Sequence, residues 1–151
     1  MIFEEGGFTQ TAVISKEEYL RRVTVLGQYC YPERAEETIR LVFSCLKCVL
    51  PVEASRRILE VLPEPVRSIW ESTTLRREIT HGDSVTLAKE MGGYPYRAAA
   101  EKAFEVVFAS IREIIDDVKI REIMDLLPSP LKIPFVRSKS CALDGSAEDF
   151  L

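Results

Sequence analysis

Histidine is almost missing from this chain: His81 is the only one in 151 residues. A histidine base needs an orienting partner and a nucleophile beside it, and nothing in the sequence around His81 names either. Cysteine is scarce as well. Cys30, Cys45, Cys48 and Cys141 are too few for a disulfide scaffold in a chain of this length, which fits a reducing, cytoplasmic setting. No stretch approaches the run of about 18 uncharged apolar residues that a membrane helix needs. The opening "MIFEEGG" carries acids where a secretory signal carries bases.

An excess of basic charge is also lacking. The formal net charge is −4, and residues 15–71 balance nine Lys/Arg against nine Asp/Glu, while residues 80–136 hold seven against nine. Neither half is an electrostatic partner for nucleic acid. Glycine-rich phosphate loops, G-x-S-x-G elbows and H-E-x-x-H helices are absent. These gaps remove the motif-bearing enzyme classes, and no cofactor is expected.

What the chain does have, it has twice. A shift of 65 residues aligns 15–71 with 80–136 without a gap, giving twelve identities over fifty-seven positions. They include Gly27/Gly92, Tyr29/Tyr94, Tyr31/Tyr96, Glu36/Glu101, Phe43/Phe108, Arg56/Arg121 and Leu62/Leu127. Apolar pairs such as Leu46/Ile111, Val49/Ile114 and Trp70/Phe135 hold the register between them. The reading is a tandem duplication.

Each copy carries helical period. Ile39, Val42, Phe43, Leu46, Val49 and Leu50 fall at three/four spacing, as do Phe104, Val107, Phe108, Ile111, Ile114 and Ile115. A shorter helix precedes each, ending near Gly27 or Gly92, where a glycine suits a positive-φ cap. A third helix is expected to begin near Pro51 or Asp116 and to stop before the prolines of "LPEP" and "LPSP". A short fourth segment follows, with Trp70 or Phe135 as its anchor.

The expected fold class is therefore all-α. Two tandem helical units of three to four helices each, residues 15–71 and 80–136, would pack with approximate two-fold pseudo-symmetry. Residues 72–79 link them, 1–14 form an N-terminal arm, and the unpatterned 137–151 form a mobile C-terminal tail. A unit of this size alone buries a marginal core, which favours packing one against the other.

Candidate chemistry is thin. "CLKC" supplies half a zinc site, but it lies inside a helix and its echo is Ser110 and Glu113, so Cys45 reads as edge-of-core packing and Cys48 as near-surface. Glu36 and Glu101 would form a paired carboxylate site if they met at the pseudo-two-fold, or serve only the helix dipole in a first turn. Arg56 and Arg121 read as intrahelical ion pairs, Arg121 with Asp117 or Asp125, or as contacts to an anionic partner. Tyr29, Tyr31, Tyr94 and Tyr96 read as rings sealing the corner between the first two helices of each copy, and as a site only if the corners face each other. Phe150 and Leu151, after two acids, read as a frayed terminus, with a docking peptide as the alternative.

The runs "AEETIRLVFSCLKCVLPVEASRRILEVLPEPVRSIWES" and "AAAEKAFEVVFASIREIIDDVKIREIMDLLPSPLKIPF" resemble the domain of unknown function 2267 family. The shared frame is an Ala/Glu-rich helix entering an apolar stripe, then "LP-x-E-A", then an apolar helix ending in "LP"; the second copy departs from it with "IDDVK". The resemblance implies bacterial helical proteins, often tandem, and carries over no catalytic residue. Function is expected to be a non-enzymatic protein-interaction or accessory module with a protein partner or self-association. The alternative is a small-ligand or metal-binding protein, an enzyme included, with its site between the two repeats.

Overall fold

The computed structural model describes residues 14–73 and 84–147, with side chains as far as residue 139. Among these residues every regular element is a helix. The chain runs α1 (Lys16–Gly27), α2 (Pro32–Val49), α3 (Val52–Val61), α4 (Val66–Ser72), α5 (Ser84–Gly92), α6 (Arg97–Arg112), α7 (Asp117–Leu126) and α8 (Ser129–Ala147).

Local chemistry places the ends. Ser15 Oγ accepts the Glu18 amide at 3.0 Å to start α1, and Asp116 accepts the Lys119 amide at 2.9 Å to start α7, satisfying amides that have no partner within the helix. Pro51 sits at the N-cap of α3, one residue before the helical turn expected for it. Leu62 and Leu127, each before a proline, are extended and end α3 and α7. The positive-φ residues are Gln28 (φ 56°) and Gly93 (φ 66°), one position beyond the expected glycines. Tyr29 donates its amide to the Thr24 carbonyl at 2.9 Å, and Tyr94 donates to that of Lys89 at 3.0 Å, closing α1 and α5 alike.

The helices exchange partners reciprocally. Helix α1 packs on α2 and on α6; α5 packs on α6 and on α2; α2 meets α6, and α3 meets α7. One continuous core results, with Tyr19, Val23, Ile39, Val42 and Phe43 of the first half meeting Phe104, Val107, Phe108, Leu131 and Phe135 of the second. Tyr19 of α1 donates its hydroxyl to Ser110 Oγ of α6 at 2.6 Å, because the Ser110 proton goes to the Val107 carbonyl. Burial raises the Tyr19 phenol above its ordinary value.

Because neighbours cover α2 and α6 on more than one side, their buried faces are wider than a single stripe. Cys48 is buried for this reason, where its near-surface placement was expected. The end of the chain also departs from expectation. In place of a short segment and an unpatterned tail from Arg137, α8 is helical through Ala147 and lies along α6. Pro134, inside α8, supplies no amide to the turn before it. Phe135 and Ser138 are nevertheless buried, so packing against α6 holds a helix whose sequence shows little helical period.

Candidate functional site

The repeated glycine–tyrosine frame has a geometric cause. A Cβ built on Gly27 would lie 2.3 Å from the Tyr29 ring, and one on Gly92 would lie 2.6 Å from the Tyr94 ring and 2.7 Å from Leu41. Each chain corner folds a tyrosine back over the helix end it has just left, and only glycine leaves room. Tyr29 and Tyr94 thereby pack against the core. Tyr31 and Tyr96 do not seal anything: they are 61% and 62% exposed, because each is an extended N-cap whose side chain makes no capping bond.

Tyr29 and Tyr94 lie near enough for the charge of one to act on the other. Burial pushes the Tyr94 phenol up, the nearby Tyr29 adds to the rise, and a hydrogen bond with Thr38 and the charge of Arg34 pull it back. Thr38 gives its own proton to the Arg34 carbonyl at 3.0 Å. The proximity of Thr38 to the Tyr94 hydroxyl ties the second corner to α2.

Beside this tie lies a cleft of about 560 Å³ between the halves. Helix α2 contributes Arg34, Glu37, Thr38, Arg40, Leu41 and Ser44 to its wall, Ser72 and Thr73 come from the end of α4, and Met91, Gly92 and Tyr94 from the α5 end. The volume is in the range of small-molecule sites, roughly 300–1,000 Å³. Arg40 is held rigidly: its Nε and Nη2 donate to Glu36 at 3.1 and 2.8 Å, and its Nη1 donates to Ser72 Oγ at 3.0 Å. The Arg40 bonds hold the Glu36 carboxyl below its ordinary value, burial opposes this, and Lys16 at 3.2 Å assists. Arg34 is held loosely, with Glu37 at 3.9 Å and both side chains largely exposed.

Sixty-five residues on, the same helical register is far less polar. Alanines 99, 103 and 109 stand where α2 has Arg34, Thr38 and Ser44, while Glu105 replaces Arg40 and Arg137 replaces Ser72. There Arg137 reaches from α8 to Glu101 and Glu105, each at 3.5 Å.

The matched carboxylates therefore stay in separate ion pairs, Glu36 with Lys16 and Arg40, Glu101 with Arg97 and Arg137. Arg56 pairs with Glu53; no ion pair joins Arg121 to Asp117, Asp125 or any other described residue. Cys45 Sγ lies 3.7 Å from Met91 Sδ. Among the described residues no three of His, Cys, Asp and Glu gather at metal-ligating range, and no helix is long and apolar enough to cross a membrane. His81, Phe150 and Leu151 lie outside the described residues.

One matched pair escaped the sequence reading. Lys47 on α2 donates to the Trp70 and Thr73 carbonyls at 2.6 and 2.8 Å, with its ammonium 5.5 Å from the Trp70 ring centre. Arg112 on α6 donates to the Phe135 carbonyl at 3.0 Å and to Ser138 Oγ at 2.7 Å, 4.6 Å above the Phe135 ring. The rings in turn meet Phe43 at 4.9 Å and Phe108 at 5.0 Å. Burial lowers both cations from their ordinary values. The available signal was conserved charge rather than identity at positions one turn beyond Phe43 and Phe108.

A family model described as "Uncharacterized conserved protein (DUF2267)" matches residues 16–133, spanning both halves. No curated protein matches the chain.

Proposed function

The chain belongs to the DUF2267 family, and from that premise we propose that it is a small-ligand-binding protein, its site the cleft between two tandem repeats. The carrying observation is the 560 Å³ space walled by Arg34, Thr38, Arg40 and Ser44 on one side and Met91 and Tyr94 on the other. The alanines found 65 residues on support it, since α6 forms without those polar side chains. The reciprocal packing of α1 on α6 and α5 on α2 supports a pseudo-two-fold arrangement, with one of its two equivalent corners specialised. The thiols of Cys30, Cys45 and Cys48 favour a reducing compartment such as the cytoplasm.

Ligand-observed NMR with a fragment library tests the reading. Fragments should bind the full chain and lose their signal in Ser72→Trp, a rim substitution at an exposed position. A library in which no hit is sensitive to that substitution would remove the cleft from consideration.

A protein-interaction module is the second reading, and a different surface favours it. Val52 and Val118 are 74% and 66% exposed, one turn before Arg56 and Arg121 on the contacting helices α3 and α7. Light scattering of the wild type and of Val52→Glu/Val118→Glu decides it: a self-associated species that the double variant dissolves supports the module, and a monomer throughout counts against self-association.

A further inference from the structure

We infer that the cleft takes a small organic monoanion, a carboxylate carrying one ring or a short apolar chain; this rests on reading the cleft as a ligand site. The hydrogen-bond inventory leads there. Thr38 spends its proton on the Arg34 carbonyl at 3.0 Å, and Thr73 and Ser72 spend theirs on the Ile69 carbonyl at 2.7 and 3.2 Å. The charged donors lining the space are the two guanidinium groups of Arg34 and Arg40.

They differ in a useful way. A guanidinium carries five N–H groups in a fixed plane. Glu36 and Ser72 hold three of those on Arg40 and set its orientation, leaving two for a ligand without further ordering. Among the described residues Arg34 has only the distant, exposed Glu37 as an acid partner, and such a pair is worth little. A ligand carboxylate displaces Glu37 from Arg34 at small cost and gains a charge-assisted, fork-shaped contact.

Charge limits the head to one negative unit. Arg34 and Arg40 stand against Glu36 and Glu37, so the four groups sum to zero. A dianion such as phosphate would bring its second charge towards two carboxylates already present. The remainder of the wall specifies an organic body. Leu41 and Met91 supply apolar surface, the thioether adapts its shape, and Gly92 brings the α5 backbone against Leu41. The fold itself does not require this set, because alanine replaces Arg34 and Thr38, and glutamate replaces Arg40, at the matching positions of α6.

Titration calorimetry on the full chain with benzoate, benzamide and inorganic phosphate as probes tests the inference. Benzoate should bind saturably, and benzamide about tenfold or more weaker, the usual worth of one charge-assisted bond. Phosphate should fail to displace benzoate at equal concentration. Arg34→Gln should weaken benzoate about tenfold and leave benzamide unchanged, Ser72→Trp should abolish both, and Arg121→Gln on α7 should alter neither. Benzamide binding as well as benzoate overturns the anionic class; phosphate displacing benzoate overturns the organic body. Absence of saturable benzoate binding also overturns the inference, while the cleft reading stands if neutral fragments still bind in a manner sensitive to Ser72→Trp.

Discussion

Gly27 and Gly92 show how far a single residue's identity can mislead about its reason. Both look like helix stops, yet the left-handed turn falls on Gln28 and Gly93. The glycines are required by the tyrosine two residues later, whose ring occupies the place of a Cβ. Two effects of opposite sign follow. Alanine in a helix is favoured over glycine by about 1 kcal/mol, whereas forcing a packed ring aside costs about 1–3 kcal/mol. Gly27→Ala should therefore destabilise the wild type in urea titration, and should be neutral or stabilising once Tyr29 is alanine. The same reversal is expected for Gly92→Ala with Tyr94→Ala. Equal effects in both backgrounds would show that the rings are not the cause.

Among the elements, α4 and α8 depend on the cation that reaches them. Lys47 and Arg112 each lie over the aromatic anchor and donate to that residue's own carbonyl and to one acceptor beyond it, the Thr73 carbonyl or the Ser138 hydroxyl, joining α2 to α4 and α6 to α8. Hydrogen bonds to charged groups contribute roughly 1.5–3 kcal/mol. Arg112→Ala is expected to cost about 2 kcal/mol and to raise amide exchange along α8, with Lys47→Ala acting on α4 instead. Since the two clasps share no partner, the double variant should equal the sum of the singles within about 0.5 kcal/mol. A large coupling would mean that the clasps communicate through the α2–α6 contact. The α8 helix also explains why its extent was illegible: periodicity reports only residues that face a core repeatedly, and α8 owes its helicity to the length of α6 it covers.

At the scale of the whole molecule, stability should respond to acid in two opposed ways. Burial raises the Glu113 carboxyl above the ordinary glutamate value, with Arg22 at 3.8 Å only partly opposing. The native state therefore binds that proton more readily than the unfolded chain. Stability contributed through Glu113 rises as pH falls from neutral through its raised pKa, and levels off at the ordinary glutamate value. Glu36 behaves conversely: its lowered pKa gives stability that is present above the ordinary value and lost as pH falls below it. Denaturation followed against pH should show a rise, then a fall, on acidification. Glu113→Gln should remove the rise and keep the fall; a rise that persists would place its origin in another group.

The sequence by itself determined that the chain is helical, where most helices begin and end, and which residues recur 65 positions apart. Those features follow from local physics: periodic apolar spacing, caps, and prolines that stop a helix. The tertiary structure alone decided that α1 packs on α6 and α5 on α2, and that Tyr29 and Tyr94 pack against the core while Tyr31 and Tyr96 face solvent. It also decided that Glu36 and Glu101 are neutralised separately, and that a cleft opens beside Arg34 and Thr38. Each of these depends on which surfaces meet across long sequence separations. Sequence periodicity is silent on that point, because residues 39–50 and 104–115 carry similar apolar stripes and either could have been buried within its own half.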